Sequence, residues 1–297
     1  MLEIIKGAVS LGLLWAVMTI GVYITYRILN IADLTVEGSI ALGAAIAAQA
    51  IVSGANPYIA SFISILGGMA AGLITGILHT MLKIPALLSG ILTMIALYSV
   101  NLRVLGKANL SLLRMETVYT ALEKLGIESS WSVIIFGLIS VALVIGFLYW
   151  FFGTELGCAI RATGNNPRMV RAQGINTNNM IILGLIISNG LVALSGALIA
   201  QYQSFSDVQM GTGSIVIGLA SVIIGEVLFG KRSFLMRFVS LAFGAITYRI
   251  IIAFVLKLGM HSNDLKLFTA ITVALALALP MIRDYVNPPK ISIEENE

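Results

Sequence analysis

The sequence predicts an all-α, polytopic membrane protein with about nine (8–10) transmembrane helices, arranged as two inverted-topology halves with broken helices. Three observations predict it. The chain is 58% hydrophobic and only 11% charged, where a soluble domain carries roughly 25% charged residues. That much apolar surface exceeds what one soluble core can bury. Apolar runs of about 20 residues, long enough to cross a hydrocarbon core of about 30 Å, recur along the whole length. One octapeptide frame also occurs twice, once in each half.

Nine spans are expected, at 8–26, 34–54, 57–81, 85–102, 132–152, 179–201, 213–229, 235–256 and 266–283. They should be helices, because lipid gives the backbone no hydrogen-bond partner. The runs are continuous, without the alternation of a membrane barrel. The first run follows Lys6. It is longer than a signal core and lacks a small-residue cleavage site, so it reads as a retained span. Three connections are long: 103–131, 153–178 and the polar tail 284–297. Within the first, Leu112 to Leu125 can segregate apolar and charged residues on a helix lying on the membrane or meeting a partner. The chain reads as one transmembrane domain, 1–297, with half-repeats at about 8–131 and 179–283 around the segment 153–178. A lone cysteine, Cys158, excludes a disulfide framework and a cysteine metal cluster. The net charge of +4 fits basic cytoplasmic loops rather than a nucleic-acid surface.

Orientation follows from Lys and Arg in short loops. Arg161, Arg168 and Arg171 lie in one, and Lys231, Arg232 and Arg237 in another. Placing both in the cytoplasm puts the C-terminus there and, with nine spans, the N-terminus outside. The repeat pairs Gly38-Ser-Ile-Ala-Leu-Gly-Ala-Ala45 with Gly213-Ser-Ile-Val-Ile-Gly-Leu-Ala220, each after a polar patch containing an aspartate. With five spans between them the copies are oppositely oriented, the pattern of an inverted-repeat transporter whose broken helices meet at the substrate path. Common membrane residues aligning by chance would give the same frame.

The segment 153–178 is patterned. Asn165, Asn166 and Pro167 make a helix start, and a short helix from Pro167 to Ala172 stops at Gly174. Met169 and Val170 beside Arg168 and Arg171 suit docking into a groove of a cytoplasmic partner. A solvated basic loop that only sets topology is the alternative.

Here a family resemblance enters. Leu156-Gly157, Arg161-Ala162, Gly164-Asn165-Asn166-Pro167 and Gly174-Ile175-Asn176 resemble the coupling-loop signature of branched-chain amino-acid and ribose-type ABC permeases. Ile31-Ala-Asp-Leu-Thr-Val-Glu-Gly-Ser39 and Met210-Gly-Thr-Gly-Ser214 resemble the family's two paired elements. The overall look is closest to amino-acid uptake permeases of Gram-positive bacteria, aromatic types included. Glu37 and Glu226 depart from the pattern and speak against a sugar.

The resemblance implies that Glu155, Gly157, Arg161, Ala162, Gly164, Asn165, Asn166, Pro167, Arg168, Val170, Gly174, Ile175 and Asn176 couple to an ATPase. It also implies that Asp33, Thr35, Glu37, Ser39, Asp207, Gln209, Thr212 and Ser214 mark the translocation pathway. The expected partners are two ABC ATPase subunits, an extracytoplasmic solute-binding lipoprotein, a second permease copy in a homodimer, and lipid. This chain would hold no cofactor, ATP and Mg being bound by the ATPase. It would translocate a small solute, an amino acid, across the cell membrane. An ion-coupled secondary transporter, or an ABC permease for a sugar or nucleoside, is the competing reading.

Ionisable residues inside spans are costly and face protein, water or a partner. Arg249 is expected to pair structurally or to meet a substrate carboxylate, and Glu226 to pair with Arg232 or Arg237. Gly225 to Lys231 mimics a phosphate loop but follows an apolar span, and Arg232 stands where that motif needs Ser or Thr. Convergent catalytic groups are not found within the spans, so no catalytic residue and no metal site is assigned. Gly68, Gly72 and Gly76 on one face of the third span suit close helix packing.

Overall fold

The structure, a computed structural model, describes residues 2–230 and 233–257, with 267, 269–271, 274 and 278 beyond them. Apart from those positions, the ninth expected span, 266–283, lies outside the described residues, as do the tail 284–297, Lys231 and Arg232.

The chain begins with α1 (Leu2–Tyr23), prolonged by a π-helical turn at Ile24–Ile28. α2 (Thr35–Val52), α3 (Pro57–Thr80) and α4 (Ala86–Leu105) follow. A three-residue strand β1 (Asn109–Ser111) and a single turn α5 (Thr120–Glu123) lead into α6 (Ser129–Gly153). Two short helices, α7 (Glu155–Asn165) and α8 (Pro167–Ala172), precede α9 (Thr177–Gln203). The last described elements are β2 (Phe205–Asp207), α10 (Ser214–Phe229) and α11 (Phe234–Lys257).

Seven helices among the described residues are long and apolar enough to cross a membrane. α10 is not. At 16 residues it extends about 24 Å, short of the hydrocarbon thickness of about 30 Å. The expected span 213–229 is therefore a half-span that starts inside the bundle.

Contacts fix the two ends. Lys6, at the start of α1, reaches Glu128 at the head of α6 (3.5 Å). Arg27, at the far end of the π-turn, pairs with Glu226 of α10. One end thus carries the antiparallel β1–β2 ribbon, and the other carries α7 and α8. The amphipathic helix expected over 112–125 is reduced to α5, because this stretch folds back onto the ribbon. Leu112 N donates to Ser204 O (2.8 Å), Val118 N donates to Gln201 Oε1 (3.0 Å), and Leu112 is buried. Tyr119 donates to Leu198 O (3.0 Å), and burial pushes its phenol pKa up, keeping it the neutral donor.

α9 is the axis of the bundle, buried almost continuously from Ser188 to Gln201 and packed against α1, α2 and α3. Its small and polar residues bridge helices where lipid would leave such groups unsatisfied. Ser188 donates to Gly21 O (2.7 Å) and Ser195 to Leu14 O (2.7 Å). The glycines of α3 face this axis: Gly68 meets the Asn189 backbone, Gly72 the Leu185 carbonyl and Gly76 Ile182. α3, α4 and α6 expose Phe62, Leu66, Ile95, Leu143 and Trp150, an outer apolar surface.

Candidate functional site

Two helix N-termini meet inside the bundle. α2 begins at Thr35 and runs toward the ribbon end, since Ala45, Ala48 and Ile51 pack with Leu105, Leu110 and Leu112. α10 begins at Ser214 and runs the opposite way, to the Glu226–Arg27 pair. The repeated Gly-Ser-Ile frames therefore lie at the N-terminal ends of two antiparallel helices, Gly38 at the fourth residue of α2 and Gly213 at the cap of α10. From β2 the chain descends to α10 through linked turns: Gln209 N donates to Asp207 Oδ1 (2.7 Å), Thr212 N to Gln209 O (3.0 Å) and Ser214 N to Gly211 O (3.0 Å). Glu37, in the first turn of α2, closes the junction by accepting Gly213 N–H on Oε1 (3.0 Å), with Ile215 N–H also directed at the carboxylate. A carboxylate there satisfies amides that a helix start leaves open and complements the helix dipole. Gly211 is needed for the approach, because a side chain there would overlap the Glu37 carbonyl oxygen.

The expected pathway residues divide. Asp33 accepts from Thr35 N (2.9 Å) and Asn189 Nδ2 (2.8 Å), linking the start of α2 to α9. Ser39 donates to Asn189 Oδ1 (2.7 Å), and Thr35 joins Thr75 (2.7 Å). Asp207 sits in the ribbon, with Asn109 Nδ2 3.5 Å from its Oδ2, and the buried Ser214 hydroxyl has no hydrogen-bond partner among the described residues. Glu37, Gln209 and Thr212 line an open cavity of about 520 Å³ against α4, whose Met94, Tyr98 and Asn101 complete it. Met94 lies midway along α4, which places the cavity at mid-height of that helix, open on the side where Ile95 and Tyr98 are exposed.

The second constellation is the α7–α8 end. Thr154 caps α7 by accepting Gly157 N–H (3.3 Å), and Gly157 packs on the Phe151–Phe152 backbone. Gly164 lies against the Ile28 carbonyl, so closely that a side chain would overlap it. Arg161 stacks over Phe234 (4.9 Å). Asn166 caps α8 by accepting Met169 N–H (3.1 Å), Val170 is the buried anchor of α8, and Gly174 takes φ +81° where the helix stops. Asn176 then caps α9, accepting Asn178 N–H (3.0 Å). Glu155, Asn165, Pro167, Arg168 and Met169 are exposed, while Ala162 and Ile175 are half-buried. The segment is thus packed closely from beneath, with an outer face that carries Arg168 and Arg171 beside the exposed Leu156 and Met169. Beside it a groove of about 710 Å³ is lined by His79, Lys83, Arg171, Ile175 and Asn176, among others.

The family described as branched-chain amino acid transport system / permease component matches residues 4–281. The chain belongs to that permease family. A tyrosine transport system permease protein of Clostridioides difficile is 43% identical over 92% of this chain and 90% of its own length. An uncharacterised protein of Rickettsia prowazekii is 33% identical over 93% of this chain and 98% of its own. An inner membrane ABC transporter permease of Escherichia coli is 26% identical over 75% of this chain and 64% of its own. The chain is accordingly a multi-pass transport subunit of the ABC permease class.

In this permease Glu226 pairs with Arg27, not with Arg237 as the sequence expectation allowed; Arg232 lies outside the described residues. The partners are 199 positions apart and meet because α1 and α10 end on the same side. Arg249 lies with its guanidinium 4.3 Å from the Trp15 ring centroid, a cation–π contact, and no acid pairs with it among the described residues. Two features of the permease escaped sequence reasoning. α7 was legible in principle, from the Thr154 cap and the buried face of Gly157, Ile160 and Thr163. Asn101 was not, since one asparagine two residues before Arg103 reads as a span end.

Proposed function

We propose that the chain is the permease subunit of an ATP-driven importer for an amino acid, with an aromatic amino acid as the solute. The solute path runs through the junction of α2 and α10, and α7 with α8 forms the face that meets the ATPase. The observation that carries this reading is the pairing of a half-span entering from one end with a closely packed helical segment at the other. The first supplies backbone groups that can face a polar solute within the membrane. The second supplies a lever. The 43% identity to a tyrosine transport permease supports the solute class. Two ATPases would grip the α7–α8 faces of two permease copies, and an external lipoprotein would deliver solute at the ribbon end. The α7–α8 end then faces the cytoplasm and the start of α1 lies outside. The halves 8–131 and 179–283 would rock about the junction.

The test is uptake of radiolabelled tyrosine into proteoliposomes that hold the permease with its ATPase and binding protein. Uptake requiring ATP and the binding protein is expected. Uptake by the purified permease alone, driven by an ion gradient, would establish the secondary-transporter reading instead.

A further inference from the structure

The cavity at the α2–α10 junction has a charge and donor pattern that selects one chemical group. Among the described residues, Glu37 is the only charged side chain lining it, and no Lys, Arg or His does so. Asn101 is 1% exposed, yet its Oδ1 is buried without a hydrogen-bond partner. Its orientation is set, because Nδ2 donates to Gly38 O (3.3 Å) and a carbonyl can only accept. The free atom is therefore an acceptor, on a side chain that is hydrogen-bonded to the residue after Glu37 and lines the same cavity. An unsatisfied buried acceptor calls for a donor. The Glu37 carboxylate is engaged by α10 amides but retains lone pairs, since a carboxylate can accept about four hydrogen bonds. Around these acceptors, Met94, Ile95 and Tyr98 of α4 supply an apolar and aromatic wall.

We infer that this cavity binds the primary ammonium group of the solute between Glu37 and the Asn101 side-chain oxygen, with the solute's apolar body against α4. The inference rests on the importer reading and deepens it. A carboxylate or phosphate entering first would meet a like charge and a lone acceptor. An ammonium offers three donors to both. Asn101 is a specificity-determining residue on this account, and Glu37 holds two roles, helix cap and counter-ion.

The test is equilibrium binding of tritiated tyrosine to the permease–ATPase complex in nanodiscs. Tyramine, which keeps the ammonium and lacks the carboxylate, is expected to compete about as well as tyrosine. Hydroxyphenylpropionate, which keeps the carboxylate and lacks the ammonium, is expected to compete about tenfold more weakly or worse. Asn101→Leu should weaken tyrosine binding about tenfold. Glu37→Gln, which keeps an acceptor for Gly213 and so keeps the cap, should do the same. Equal competition by the two analogues, wild-type binding by both variants, or no binding of tyrosine to the wild-type complex would each overturn the inference. ATP-driven uptake persisting alongside any of those results would leave the importer reading standing.

Discussion

Gly164→Val is expected to lower solute-stimulated ATP hydrolysis about tenfold, the effect of a barrier change of about 1.4 kcal/mol, without loss of the membrane-inserted protein. Gly164 is the point where α7 touches the π-turn that ends α1, and it sits on the Ile28 carbonyl oxygen. Three further carbons there cannot be absorbed by a flexible side chain, because the obstacle is backbone. Overpacking of this kind costs about 1–3 kcal/mol, and α7 gives way more readily than the buried end of α1. The helix would lift, carrying α8 with it through the Asn166 connection. ATPase assays in proteoliposomes, with and without the solute-loaded binding protein, read the effect. Full stimulation in this variant would show that the seating of α7 is unimportant to coupling.

The second large effect is expected at Glu37. Glu37→Ala removes the acceptor for Gly213 N–H, leaving an amide at the start of α10 without a partner, at a cost of about 1–3 kcal/mol. The start of α10 would loosen and uptake would fall about tenfold or more. Glu37→Gln keeps an oxygen for the amide, so thermal unfolding of that variant should match wild type while Glu37→Ala melts earlier. Equal melting of all three proteins would mean that the carboxylate does not secure α10. The contrast separates capping from charge, which a single substitution cannot do.

Much of this arrangement was legible in the residues. The boundaries of α3 follow from Asn56 as cap and Pro57 in the first turn, and α8 runs from Pro167 to Ala172 as the Asn-Pro and Gly174 signals require. The Gly38 and Gly213 frames marked both ends of the junction. Depth was not legible. The apolarity of 213–229 says that the segment belongs in a membrane, but the three-residue pairing of β1 with β2, 98 positions apart, decides how far the chain descends before α10 starts. The resemblance implies a pathway role for Asp33, Thr35 and Ser39, but their hydrogen-bond partners could not be read from the sequence. Their partners, Asn189 and Thr75, lie on other helices, and only the packing shows that they brace the bundle. Asn101 is the converse case: its Nδ2 bond to Gly38 crosses from α4 to α2, and only that bond reveals which of its atoms is left free.

The account as a whole turns on whether the α7–α8 end meets an ATPase. Met169 is exposed on α8, and Cys158 is the single cysteine of the chain. Oxidative cross-linking of Met169→Cys, in a chain carrying Cys158→Ser, to an ATPase with a cysteine in its permease-facing groove tests this in native membranes. A cross-linked species whose yield changes with nucleotide is expected from Met169→Cys and not from Lys124→Cys at the ribbon end. A cross-link from Lys124→Cys with none from Met169→Cys would contradict the assignment of the coupling face and the membrane orientation together.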